Sequence, residues 1–162
     1  MISGRVFVGI ILIGICTRLG LAGEFDSMLR WRNVGPYRGG RTRAVCGVPS
    51  QPNVFYMAAV NGGVFKSIDY ARTWQPIFDD QPTASIGAVA VAPSNPNVVY
   101  AGSGEGLHRP DLSVGDGVYK STDAGKTWAH LGLRDGQQIP QLGIDPTNPA
   151  DIRGRSRSSV RA

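Results

Sequence analysis

The sequence predicts an all-β fold assembled from repeated antiparallel units, and three observations carry that expectation. Twenty-two glycines and eleven prolines punctuate the 162 residues, and no stretch of any length places apolar residues at helical period. Short β-rich runs alternate with turn clusters along the chain. Two twelve-residue strings recur at a constant offset of 54 residues, which is the mark of a structural repeat.

The first segment reads differently from the rest. Arg5 precedes an apolar run over residues 6–16, and Gly20-Leu21-Ala22-Gly23 follows. A basic start, a short apolar core and a small-residue exit predict a secretory signal peptide over 1–22, cleaved near Ala22. The run is shorter than the ~20 apolar residues that a permanent span needs, so a secreted or periplasmic protein with no membrane span after cleavage is expected. Residues 23–42 then form a lead-in. Cleavage leaves Cys46 as the lone thiol, which rules out an internal disulfide. Its apolar surroundings predict an inert core thiol.

The net charge of +5 is concentrated at the ends. Arg5 and Arg18 fall in the leader, and Arg153, Arg155, Arg157 and Arg161 face only Asp151 in the last twelve residues. Residues 24–150 hold eleven basic and eleven acidic side chains. A balanced body has no basic face for phosphates, so no nucleic-acid partner is expected.

The repeated elements follow in order. β-like runs at 43–47, 86–91 and 139–144 each lead into a turn of one plan: Pro49-Ser50-Gln51-Pro52, Pro93-Ser94-Asn95-Pro96 and Pro146-Thr147-Asn148-Pro149. The first two turns return into second runs at 54–60 and 98–101. Next come the long matching strings, 63–74 and 117–128. In each, a short alternating strand precedes Ser67-x-Asp69 or Ser121-x-Asp123, where the carboxylate is placed to accept backbone N–H groups of a turn. Gly125 supplies turn freedom, and Trp74 or Trp128 packs back to pin the following strand. Ser67, Asp69, Trp74, Ser121, Asp123, Gly125 and Trp128 are therefore expected to serve the fold rather than a ligand.

At these residues the chain resembles a known family. Ser-x-Asp-x-Gly-x-Thr-Trp is the Asp-box, or BNR, signature of sialidases, xyloglucan-type endoglucanases and sortilin-like proteins. Ser121 to Trp128 matches it fully, and Ser67 to Trp74 departs at Ala71. The string Trp31-Arg32-Asn33-Val34-Gly35-Pro36-Tyr37-Arg38-Gly39-Gly40-Arg41 is similar to the opening of bacterial sortilin-type BNR proteins, often labelled glycosyl hydrolases. The resemblance covers about residues 30–150. It implies a β-propeller, of which residues 43–150 would form two four-stranded antiparallel blades and the first strand of a third, an incomplete propeller. Residues 151–162 are Arg/Ser-biased and are expected to be a disordered or frame-shifted tail.

The same resemblance suggests where a ligand would bind. With the Pro turns and Asp-boxes on one face, the other face is built by 61–63, 79–81, the loop 102–117 and 135–138. The second repeat is ten residues longer between its Pro turn and its Asp-box, all within that loop, and insertions in a rigid repeat tend to carry recognition. The binding-face candidates are Arg38, Arg41, Asp79, Glu105, His108, Arg109 and Asp111. His108 has no second His or Cys at ligand spacing, so neither a metal nor another cofactor is expected. Glycoside hydrolysis needs two facing carboxylates, for which Glu105 and Asp116 are the candidates. Xyloglucan-type endoglucanases, by resemblance, carry a catalytic Asp two residues before the Gly-Gly pair, and Val60 stands there. The arginine triad and nucleophilic Tyr of sialidases have no match. The expectation is a scaffold binding a peptide, protein or carbohydrate, with no enzyme activity of its own. The alternative is a glycoside hydrolase of xyloglucanase or sialidase type in the full-length form.

Overall fold

The computed structural model describes residues 40–106 and 112–157. The expected leader, the lead-in up to residue 39 and residues 158–162 lie outside them. Two four-stranded antiparallel sheets follow each other in strict meander order. The first runs β1 (Arg41–Val48), β2 (Gln51–Val60), β3 (Gly63–Ser67) and β4 (Gln75–Pro76). The second runs β5 (Ile86–Ala92), β6 (Asn95–Ser103), β7 (Val118–Ser121) and β8 (Ala129–Gly132). A third sheet pairs β9 (Gln138–Ile144) with β10 (Ile152–Arg157).

The third sheet differs from the expectation. A disordered or frame-shifted tail is expected over 151–162, yet residues 152–157 pair with β9 through Ile152–Ile144, Gly154–Leu142 and Arg155–Gln141. Backbone pairing needs no apolar alternation when one inward residue suffices. Ile152 is that residue, packing with Leu142 and Ile144 on the Tyr100–Ile139 cluster.

Core formation follows from the period-two alternation of strand side chains. Along β6, Val99 and Ala101 enter one cluster with Val54, Tyr56, Ala58 and Val64 of the first sheet. Val98 and Tyr100 turn the other way, onto Ile139 of the third. The second sheet is thus apolar on both faces, which explains its near-continuous run of buried residues from Val98 to Ser103.

The first two sheets are also joined by directed contacts. Trp128 Nε1 donates to the Ile77 carbonyl at 2.7 Å. Phe78, 2% exposed, meets the rings of Tyr119 and Trp128 edge-on at 5.0 and 5.1 Å, and its burial contributes ~1.5–3 kcal/mol. Tyr56 Oη and Lys66 Nζ both donate to the Ala124 carbonyl, at 3.1 and 3.0 Å. Cys46 packs against the same cluster. Burial pushes its thiol up to about 12, so almost no thiolate exists at neutral pH.

Candidate functional site

Each Ser-x-Asp turn is closed by its own side chains. In the second, Ser121 Oγ donates to Asp123 Oδ1 at 2.7 Å and accepts the Gly125 N–H at 2.8 Å. Asp123 Oδ1 accepts the N–H groups of Lys126 and Thr127, both at 2.9 Å, and Oδ2 accepts the Thr127 hydroxyl at 2.6 Å. The first turn repeats the pattern, with Ser67 Oγ to Asp69 Oδ1 at 2.8 Å and Ala71 N–H to Ser67 Oγ at 3.0 Å. Arg72 N–H, Thr73 N–H and the Thr73 hydroxyl reach Asp69 at 3.0, 2.9 and 2.7 Å. Donors aimed at a carboxylate favour its charged form. The Thr73 N–H and hydroxyl, then Ser67, hold Asp69 down at about 2. The Thr127 hydroxyl and N–H, then Ser121, push Asp123 well below the usual carboxylate range. Both carboxylates are committed to their turns.

Meander order sends the opposite strand ends to the other face. There the start of β1 meets the segment that leaves β6. Arg41 Nε and Nη2 donate to Glu105 Oε1 at 3.1 and 2.7 Å, and Glu105 Oε2 accepts the Ser113 N–H at 3.3 Å. Arg43 Nε adds a bond to the Glu105 carbonyl at 3.4 Å. Glu105 is fully buried, whereas half of the Arg41 side chain (51%) faces solvent. The pair therefore fixes the long loop of the second sheet to the first while presenting one side of a guanidinium. Gly104 lets the chain enter this contact: its φ is +86°, and a Cβ there would lie 2.1 Å from the Gln137 carbonyl oxygen.

Asp116 sits elsewhere, in a second polar cluster at the outer part of the same sheet. Its carboxylate accepts the Tyr119 hydroxyl at 2.9 and 2.7 Å and stands 3.9 Å from Arg134 Nη1. The Asp116 carbonyl meets His130 Nε2 at 2.7 Å, while His130 Nδ1 accepts the Gly132 N–H at 3.2 Å. Burial, with the Asp116 contact second, raises the Tyr119 phenol above its ordinary value. Ser103 Oγ ties the cluster to β6, accepting the Asp116 and Gly117 N–H groups at 2.8 Å each.

Of the residues read from the sequence, the structure brings Arg41 and Glu105 together and keeps Asp116 with Tyr119. Asp79 is exposed just beyond β4. Arg38, His108, Arg109 and Asp111 lie outside the described residues. The polar partners Ser103, Ser113, Tyr119, His130 and Arg134 were not singled out. Only Tyr119 carried a signal, through its place in the repeated string. Among the described residues no group of three or more His, Cys, Asp and Glu is placed to hold a metal ion, and no helix is long and apolar enough to cross a membrane.

Comparison with known proteins places these sheets in a wider frame. No family model matches the chain. It is 30% identical over 120 residues to a probable oligoxyloglucan-reducing end-specific xyloglucanase of Neosartorya fischeri, covering 70% of this chain and 14% of that protein. The chain thus spans about a seventh of that relative's length. Among solved structures it is similar to an ancestral GH74 enzyme, with a TM-score of 0.56 and 19% identity over 70% of this chain and 16% of the other. It is also similar to the GH74 enzyme of Niastella koreensis, with a TM-score of 0.53 and 23% identity over 67% of this chain and 17% of the other. At these identities the likeness is one of fold, and the fold is that of β-propeller blades, all-β and antiparallel, covering part of a propeller.

Proposed function

We propose that this chain is the glycan-binding portion of an exported Asp-box β-propeller of xyloglucanase-like type. The observation that carries the proposal is the Arg41–Glu105 pair. A buried carboxylate orients a half-exposed guanidinium on the face where the connections after β2, β4 and β6 converge. A planar donor held in this way can bond sugar hydroxyls in pairs. The 30% identity to a xyloglucanase supports a plant-type β-glucan as the ligand class. Asp79 and the loop residues His108, Arg109 and Asp111, with Arg38, would complete the surface.

In this reading Glu105 and Asp116 position rather than react. Glu105 has no exposed atom to offer a glycosidic oxygen, and the Asp116 carboxylate is bonded to Tyr119. Hydrolysis, if the full-length protein performs it, would draw its carboxylates from elsewhere. The 1–22 leader delivers the protein outside the cytoplasm. The sortilin-like alternative, peptide or protein binding, rests on the mixed charge of the loop at 102–117.

Calorimetric titration of the whole chain with xyloglucan oligosaccharides, and separately with mixed-charge peptides, tests the proposal. Saturable sugar binding that Arg41→Met weakens about tenfold, without product release, is the expected result. His108→Ala with Arg109→Ala provides a second variant that leaves the buried pair intact. Peptide binding without sugar binding would move the assignment to the sortilin-like class, and turnover by this chain would overturn the non-catalytic role.

A further inference from the structure

A groove of about 190 Å3 lies where the segment leaving β4 meets the second Ser-x-Asp turn. The two sheets that form it are both complete four-stranded units. Its floor is apolar, made by buried Phe78 with half-buried Ile77 and Trp128. Its rim is polar, with Asp80 and Gln81 on the side of the first sheet and Lys126 on the side of the second. Neither Arg41 nor Glu105 lines it, so the groove stands apart from the surface described above.

Floor and rim are both held in place by the fold. The Trp128 indole N–H is spent on the Ile77 carbonyl at 2.7 Å, so the half-buried ring offers carbon to the groove. Phe78 stands edge-on to that ring, with the two planes 75° apart. The rim side chains spring from fixed backbone. The Gln81 N–H closes a turn on the Phe78 carbonyl at 3.2 Å, and the Lys126 N–H donates to Asp123 at 2.9 Å. A surface ordered in this way loses little freedom when a ligand settles on it.

We infer that this groove binds one hexose unit of a neutral glycan whose ring hydroxyls are equatorial. Such a ring has apolar C–H faces and a polar perimeter. One face covers the indole, a large apolar surface, while the perimeter meets a carboxylate, an amide and an ammonium that together accept and donate. The charges of Asp80 and Lys126 are opposite, so neither an anion nor a cation is favoured. An alkyl side chain in the groove would cover the half-buried Gln81 amide without bonding it, which costs free energy. The volume is below the ~300–1,000 Å3 of pockets that take drug-sized ligands, so a single ring enters. This inference does not rest on the Arg41 surface.

Titration of the isotope-labelled full chain with cellotetraose, and separately with N-acetyl-Gly-Leu-Gly-amide, followed at the Trp128 indole N–H signal, tests the inference. A saturable shift with the sugar is expected, with a Kd of about 1–10 mM, the strength that one small ring reaches. Asp80→Ala combined with Gln81→Ala, which leaves the Trp128–Ile77 bond in place, should weaken it about tenfold through loss of bonds to the hydroxyls. Lys126→Met should weaken it as well. Arg41→Met should leave this shift unchanged, so failure of the Arg41 surface and failure of the groove are told apart. No saturable shift up to about 50 mM sugar overturns the inference. So does a shift that Arg41→Met abolishes and the Asp80–Gln81 double variant leaves intact, or a shift produced by the peptide and not by the sugar.

Discussion

In the first sheet the Ser-x-Asp turn presents Tyr70 and Ala71 to solvent, both exposed. In the second, Ala124 is half-buried and Gly125 is buried, with the Ile77 side chain against it. The bonds inside the two turns match to within a few tenths of an ångström. The difference lies outside them. Ser and Asp close the turn locally, whether or not anything packs on it, while Gly and Trp serve the contact with the preceding sheet. Ala71 occupies a left-handed conformation with φ 62°, which costs an L residue ~1–2 kcal/mol. An exposed turn tolerates that cost and has room for the methyl. At Gly125 φ is 91°, and a Cβ would approach Ile77 Cδ1 to 2.5 Å.

Substitutions can break this comparison in order of size. Trp128→Ala should cost ~3–5 kcal/mol, because it empties the stack on Phe78 and leaves the Ile77 carbonyl without its donor. Trp74→Ala should cost less than half as much, as read from urea unfolding midpoints. Gly125→Ala should destabilise by ~1–3 kcal/mol. Ala71→Gly should stabilise by ~0.5–1 kcal/mol, the relieved strain being partly offset by added freedom in the unfolded chain. Thermal melts of the two variants should therefore shift in opposite directions.

The smallest effect is expected from pH. Asp69 and Asp123 are both held below the unfolded carboxylate value of about 3.9. Their contribution is present in full above about pH 4 and is lost as pH falls toward about 2. The melting temperature should be flat from pH 7 to 5 and decline below 4. Asp123→Asn should flatten that decline more than Asp69→Asn, since Asp123 is pushed lower.

What could be read from the sequence divides along the same line. The strands at 43–47, 54–60 and 86–91, the Pro turns and both boxes were legible because alternation and turn chemistry act over a few residues. The three strands are present, each extended by one to three residues at one or both ends. Arg41 with Glu105 was named only as two members of one face. Their pairing across 64 residues depends on how one sheet stacks on the next, which no local pattern encodes. The Asp116–Tyr119–His130 cluster was missed for the same reason. β10 escapes a local reading for another reason: with arginine, serine and glycine at most positions it resembles a solvated tail.

The stacking of one four-stranded sheet on the next is most directly tested at the two indole N–H groups. Hydrogen exchange followed by NMR, with the signals assigned through Trp→Phe variants, should show the Trp128 Nε1 proton protected to the level of global unfolding. The Trp74 proton should exchange orders of magnitude faster. Equal rates for the two, or faster exchange at Trp128, would contradict the account.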